Sequence, residues 1–240
     1  MIRLRMHRRA SCSPNHTARR TRRWLAWCAV AAALIGSSGC GTVVSGTPTW
    51  PGEVLQKMLL TAADFPAGVQ FDPIREDPGA PDGAGSPPSM LSKPPGCANA
   101  LTDVIAKSAE RGPGSAAKYG VSYDGARIQM TVLSWSLNLD ELAATASRCQ
   151  HFETFFDPQS EGIPITTTLL PSSDGTLIYR QTMDLAGRQS SVHMAFANVG
   201  RYAVFGVVFP TEDPAIPVKA TLPQTFTDVV GRQVQRMRAA

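Results

Sequence analysis

The chain has 240 residues and a net charge of +4, from 23 basic and 19 acidic residues. Eight of the basic residues are arginines within the first 23 positions, which contain no acidic residue. Without residues 1–39 the chain keeps 15 basic and 19 acidic residues, so its net charge becomes −4. This balance argues against a nucleic-acid partner, which requires a basic surface on the working domain.

The amino-terminal segment has the order of an export signal. The arginine-rich stretch is followed by WLAWCAVAAALI, residues 24–35, which carries no charge, and then by small residues. The apolar run is shorter than the about 20 residues that a bilayer-spanning helix needs. The sequence permits the general and the twin-arginine export routes, and translation starts at either Met1 or Met6.

A cysteine follows the apolar run. The stretch IGSSGC, residues 35–40, resembles the lipobox of bacterial lipoproteins, in which the thiol receives a diacylglyceryl group before cleavage. Cleavage between Gly39 and Cys40 makes Cys40 the lipidated first residue, with palmitate as a typical acyl chain, and two or more chains anchor a protein stably. We expect a lipid-anchored protein on the extracytoplasmic face of the cell membrane. The alternative is an ordinary signal peptide with a bystander cysteine.

Two cysteines remain in the exported part, Cys97 and Cys149. An even pair in an exported protein favours a disulfide, which we predict here; two buried free thiols are the alternative. The two histidines of the exported part have no ligand spacing with either cysteine, so we expect no metal site.

In chain order, residues 40–52 are predicted to be a lipidated tether and residues 53–240 a single domain. EVLQKMLL is a strand or a short helix, and a strand follows near Val69–Ile74. Residues 76–96 carry six prolines and four glycines and are predicted to be a long loop without regular structure. A helix is expected over 97–111, followed by a hairpin.

The hairpin turns at Asp124-Gly125, between two alternating apolar runs. NLDELAATASRCQHFETFF, residues 138–156, is predicted to be a helix capped by Asn138, and a last helix is predicted to be capped by Thr221. Four strands are expected between them, at residues 163–170, 177–185, 190–198 and 201–209. The fold class is therefore α+β, an antiparallel sheet of six to eight strands packed with about three helices, with one disulfide.

No catalytic or cofactor-binding motif is present, so we expect no enzyme activity and no cofactor. Ser191 and His193 lie two residues apart on one predicted strand. A nucleophile and base also need an orienting group and an oxyanion site, and the sequence shows neither. The simpler interpretation of the pair is a strand with one polar face.

The polar residues of the strands suggest a ligand-facing surface. If the strands share one sheet, their polar sets form a mildly basic face with apolar patches beside it. Such a face suits a ligand with an acidic or sugar-like head and an apolar part, and an ordinary solvated face is the alternative. The residues expected to face the ligand are Arg127, Gln129, Trp135, Arg180, Thr182, Ser191 and His193.

Three features resemble a known family: the stretch LLTAADFPAGVQF, a helix headed by Cys97, and Cys149 on the next helix. They are similar to mycobacterial cell-envelope lipoproteins and, more distantly, to the extracellular sensor-type domain of PknH-type Ser/Thr kinases. The resemblance runs from about residue 54 to 238. It implies an α+β domain with a cleft and an extracytoplasmic binding role. The kinase sensor domains use two disulfides, whereas the exported part of this chain can form one.

These observations predict a non-catalytic, sensor-like module that binds a small amphipathic envelope ligand or an envelope protein. The alternatives are an envelope hydrolase whose site is not recognisable and an assembly factor for another envelope protein. A cavity above roughly 300 Å³ favours a small molecule, and a flat apolar patch favours a protein partner.

Overall fold

The structure is a computed structural model that describes residues 51–74, 90–109, 114–172, 175–185 and 187–240. The predicted signal, Cys40 and nearly all of the predicted tether lie outside the described residues, as does most of segment 76–96. The described residues belong to one compact unit, Thr47–Ala240. Within them, the structure contains no helix of the length and apolarity that crossing a membrane requires.

A nine-stranded antiparallel sheet forms the centre of this unit. Its strands are β1 (Gln70–Ile74), β2 (Leu91–Lys93), β3 (Ala116–Tyr123), β4 (Ala126–Leu133), β5 (His151–Phe155), β6 (Ile163–Leu170), β7 (Leu177–Leu185), β8 (Arg188–Val199) and β9 (Tyr202–Phe209). Their spatial order is β1-β3-β4-β9-β8-β7-β6-β5-β2. Strands β5 to β9 are therefore a meander of sequential neighbours, and β9 returns to pair with β4.

Within the described ranges, four α-helices cover the sheet. They are α1 (Pro51–Met58), α2 (Ala100–Ala109), α3 (Leu139–Arg148) and α4 (Gln224–Arg238), and a short 3-10 turn (Ala62–Asp64) follows α1. Helices α1 and α4 pack on one side of the sheet, while α2 and α3 pack on the other. Central strand β9, whose sequence YAVFGVVF is apolar on both faces, has a buried cluster on each side, as predicted, while Phe209 at its end stays 46% exposed.

The first face of the sheet carries Tyr119, Ile128 and Val208 and lies under α1 and α4. Its buried amide, Gln233, is fully enclosed on α4. The side chain of Gln233 accepts a hydrogen bond from the Leu60 backbone N at 3.2 Å and donates one to the Met58 backbone O at 2.8 Å. The carboxyl end of α1 is thereby tied to α4 through groups that would otherwise be buried without partners.

Gly206 in β9 allows α4 to approach the first face closely. A Cβ atom at this position would lie 2.7 Å from the Met130 Sδ and 3.2 Å from the Phe226 ring. Such distances are shorter than van der Waals contact, so the absence of a side chain here is a packing requirement.

The second face carries Leu133, Phe196 and Val207 and lies under α2 and α3. Asn198 fixes the segment that leads into α3, because its side chain accepts from the Leu137 backbone N at 2.8 Å and donates to the Leu137 O at 2.9 Å. Asn138 caps α3 as predicted, accepting a hydrogen bond from the Glu141 backbone N at 3.0 Å.

The α+β class, the predicted hairpin at Asp124-Gly125 and the disulfide between Cys97 and Cys149 are confirmed. Gly125 has φ +98°, the left-handed conformation that glycine adopts at low cost in a two-residue turn. The four strands predicted between residues 163 and 209 are present with boundaries shifted by at most two residues.

The prediction of one helix over residues 138–156 is wrong for its carboxyl-terminal part, which forms a strand. Helix α3 ends at Arg148, and β5 then pairs with β6. The residues of β5 alternate between exposed and buried, with Phe152 and Thr154 inside. Aromatic and β-branched side chains fit a pleated surface, and pairing with β6 outweighs continuation of the helix.

The prediction that no regular structure occurs within residues 76–96 is also wrong. The three residues of β2 pair with β5 at the edge of the sheet. An edge strand needs a partner on one side only, so it tolerates the neighbouring prolines. In the part of the chain that the structure describes, the sheet accordingly has nine strands rather than six to eight. EVLQKMLL is mostly helical, which brings the number of α-helices to four, and Pro51 is in the first position of α1, where proline is favoured.

The start of α4 differs from the prediction as well. The helix begins at Gln224, with Pro223 in the cap position. Thr221 contributes its backbone rather than its side chain: its O accepts from the Thr225 N at 2.8 Å, and its N donates to the Thr225 Oγ1 at 2.9 Å.

Candidate functional site

An apolar groove lies on the second face, between the amino-terminal end of α2 and strands β6 to β9. Its volume is about 210 Å³, and it opens to solvent along one side. Among the described residues, no charged side chain lines it. The lining residues are Ala98, Asn99, Ala100, Leu101, Thr102, Ile165, Gln181, Met183, Val192, Met194, Val207 and Phe209.

The floor of the groove follows from strand alternation. Val192 and Met194 point to one side of β8, and Val207 and Phe209 point to the same side of β9. Met194 is buried, whereas Phe209 is 46% exposed. Helix α2 covers only part of this apolar surface, so the uncovered part remains as the groove.

A polar strip borders the groove on the neighbouring strand. Arg127 and Gln129 of β4 lie directly opposite Phe209 and Val207 of β9, on the same face, and both are exposed. On the other side of the groove the Gln181 Nε2 donates to the Thr167 Oγ1 at 3.2 Å. The surface is therefore amphipathic, with an apolar floor and hydrogen-bonding groups at its margins.

The disulfide fixes the wall of the groove. Cys97 and Cys149 are both buried, with Cα atoms 5.5 Å apart. Groove residues 98–102 follow Cys97 directly, and the Cys97 backbone N donates to the Ser92 Oγ at 2.8 Å. The start of α2 is thus attached covalently to the end of α3 and by a hydrogen bond to β2.

Two further depressions occur among the described residues, one lined mainly by polar groups and one lined equally by polar and apolar groups. One, of about 270 Å³, lies between α2 and α3. The other is a broad open dish of about 750 Å³ beside α4 that contains Arg232 and Lys219. Arg232 is already engaged, since its guanidinium donates to the Asp64 backbone O and lies 5.1 Å from the centre of the Phe65 ring.

The residues predicted to face a ligand do not form one surface. Arg127 and Gln129 lie on the second face beside the groove, and Trp135 is buried in the cluster beneath α2 and α3. The remaining residues lie on the first face: Arg180, Thr182, Ser191 and His193. The alternation of polar and apolar residues within each strand is predicted correctly. Which sheet face the polar residues of β4 share with those of β7 depends on the pairing register through β9 and β8, which the sequence does not specify.

Ser191 and His193 are engaged separately. The Ser191 Oγ lies 2.9 Å from the Thr182 Oγ1, within hydrogen-bonding distance. His193 is 4% exposed, and its ring centre lies 6.4 Å from that of Phe226 on α4. Burial lowers the pKa of His193, and the charge of Arg180 lowers it further. The Nδ1 atom of this ring has no hydrogen-bond partner in the described part of the chain.

The groove-lining residues were missed from the sequence, although a signal for them exists. Strand β9 is apolar on both faces, which requires a cover on each side. The described residues of helix α2 leave part of this surface uncovered, since Phe209 is 46% exposed. Val207 and Phe209, at the end of β9, were therefore candidates for exposed apolar surface.

Within the described ranges, no three residues among His, Cys, Asp and Glu lie close enough together to hold a metal ion.

The chain matches no family model and no curated protein. A solved structure from Mycobacterium smegmatis, described as an uncharacterized protein and ortholog of Rv0999, is similar at 16% sequence identity with a TM-score of 0.44. The similarity covers 78% of this chain and 95% of that one. A similarity at this level assigns neither a family nor a function.

Proposed function

We propose that this chain is a lipid-anchored, non-catalytic binding module on the extracytoplasmic face of the cell membrane, and that the groove under α2 holds the apolar part of its ligand. The observation that carries the proposal is the combination of an uncharged apolar floor with a polar margin on one face of a rigid sheet. Ligand sites in proteins typically combine apolar walls with a few placed polar groups.

The volume of the groove supports a slender ligand part. Sites that enclose whole drug-sized molecules have about 300–1,000 Å³, and this groove, at about 210 Å³, is smaller. It suits one chain or one side group of a molecule whose remainder stays in solvent. The open side of the groove is consistent with that arrangement.

Binding to the groove is tested with a neutral apolar fluorophore, N-phenyl-1-naphthylamine, and the purified full chain in detergent-free buffer. Val192 is half-buried in the groove, and a tryptophan there fills the space. We expect Val192→Trp to abolish the saturable part of the fluorescence increase. The matched control is Thr168→Trp, which places the same side chain on the first face. Equal binding by the parent chain and Val192→Trp would refute the groove as the site.

The anchor is tested separately in cells with an alkyne-tagged palmitate. We expect the full chain to incorporate the label and Cys40→Ala to lose it entirely, since Cys40 is the acceptor thiol in this proposal. Cys28→Ala removes a neighbouring cysteine of the leader and should retain the label. Labelling of Cys40→Ala, or none of the parent chain, would overturn the anchor and leave the groove experiment unaffected.

A further inference from the structure

We infer that the occupant of the groove is a single unbranched hydrocarbon chain with an anionic head group, and that Arg127 binds the head. This inference rests on the proposed function, because it assumes that the groove under α2 is a ligand site. It adds the chemical class of the ligand and the residue that selects it.

The floor of the groove favours a flexible chain over a rigid ring. Met183 and Met194 contribute unbranched, polarizable side chains that adapt to the contacting surface. Val192 and Val207 also belong to the floor, and none of the described lining residues is charged. A groove of about 210 Å³ with an open side accommodates an extended chain along the strands, and it is too small for a fused ring system with substituents.

The head group is placed by the strand register. Arg127 lies directly opposite Phe209, whose half-exposed ring forms the end of the groove nearest β4. Arg127 is exposed and forms no ion pair with any described residue. A free guanidinium beside an apolar groove complements a carboxylate or phosphate, which it can bind with two parallel hydrogen bonds. Gln129, opposite Val207, adds an amide donor on the same strand.

Other charges on the second face define the controls. Asp72 of β1 is exposed on this face but lies two strands beyond β4, on the far side of Arg127 from the groove. Arg188 of β8 is exposed on this face, opposite Leu185 and four residues before Val192, beyond the same end of the groove as Phe209 and Arg127. Arg188 is therefore an exposed alternative cation for an anionic head, and it must be tested alongside Arg127.

The test compares three probes of equal chain length, decanoate, decyl phosphate and decanol, by displacement of the neutral fluorophore from the full chain. We expect both anions to displace it at lower concentration than decanol. Arg127→Gln should weaken both anions about tenfold, the effect of losing one hydrogen bond to a charged group, and leave decanol unchanged. Arg188→Gln should leave all three unchanged.

The outcomes separate this inference from the proposed function. If decanol binds as well as the anions and Arg127→Gln changes nothing, the groove remains a ligand site and the anionic head is wrong. If Arg188→Gln rather than Arg127→Gln weakens the anions, the assignment of the head to Arg127 is overturned. If Val192→Trp removes no binding of any probe, the proposed function fails with it. A preference for decanoate over decyl phosphate, or the reverse, identifies the head group as carboxylate or phosphate.

Discussion

The two faces of the sheet are covered to different extents. On the first face, α4 spans 15 residues and packs with α1 into a closed core, in which a glycine and a buried amide set the helix positions. On the second face, α2 and α3 have ten residues each, and the start of α2 is attached through a disulfide. The first face is buried under α1 and α4, while the second face leaves apolar residues at the strand ends accessible to solvent. The candidate binding surface of this protein is therefore the part of the second face that α2 leaves uncovered.

The largest expected effect comes from the attachment of α2. Replacing Cys97 and Cys149 together by serine opens a loop with a sequence separation of 52 residues. We expect a loss of about 4 kcal/mol in the free energy of unfolding by the chain-entropy estimate. Fluorophore binding should weaken as well, since residues 98–102 form the wall of the groove. Thermal unfolding with and without reductant measures the first effect; an unchanged melting temperature would show that the thiols are unpaired in solution.

The buried amide of the first face is the next test. Gln233→Leu keeps the volume but leaves the Leu60 N and the Met58 O without their partner. We expect a loss of about 2 kcal/mol or more, because two buried polar groups lose their partner and each costs about 1–3 kcal/mol. Binding in the groove should not change. Gln235→Leu, an exposed position on the same helix, is the control and should stay within about 0.5 kcal/mol of the parent in chemical denaturation.

Alanine substitutions at two glycines are expected to change the stability in opposite directions. Gly206→Ala forces a methyl group against Met130 and Phe226, and overpacking of this kind costs about 1–3 kcal/mol. Gly231→Ala meets no atom within 4 Å on the exposed side of α4 and should stabilise by up to about 1 kcal/mol through helix propensity. Urea unfolding midpoints of both variants measure the difference. A stable Gly206→Ala would show that α4 packs less closely on β9 than described.

The smallest expected effect is a pH dependence from His193. Its pKa is lowered in the folded state by burial and by Arg180, so the unfolded chain binds a proton more readily. Stability is then complete above the unfolded pKa of about 6.5 and declines as the pH falls below it, by at most about 1.4 kcal/mol per pH unit. Melting temperatures between pH 8 and 5 should show this slope, and His193→Gln should reduce it. An equal slope in both proteins would assign it to other groups.

The sequence predicts secondary structure that depends on neighbouring residues well, and it predicts strand pairing between distant segments poorly. The Asp124-Gly125 hairpin, the Asn138 cap and the four strands from residue 163 rest on neighbouring residues, and all are present. Strand β5 was missed because aromatic residues after Cys149 fit a helical stripe as well as a strand. Residues 151–155 form a strand because they pair with β6, which lies outside the residues on which the helix prediction rests.

The candidate site was predictable only in part. Alternation on β4 predicts that Arg127 and Gln129 face a ligand, and they do lie beside the groove. His193 and Ser191 were grouped with them, but pairing through β9 places them on the first face. Gln233 could not be recognised, because a glutamine on a helical stripe becomes a buried anchor only when another helix end meets it.

The position of β9 also determines the order in which the binding surface is assembled. Strands β5 to β9 connect sequential neighbours, as does the β3–β4 hairpin, so both can form through contacts close in sequence. The pairing of β4 with β9 joins Arg127 to Phe209 across a long stretch of chain and closes the sheet. Contacts of high sequence separation form slowly. We therefore expect the apolar floor to exist before the charged margin reaches it, and a partly folded chain to bind hydrocarbon without discriminating between head groups.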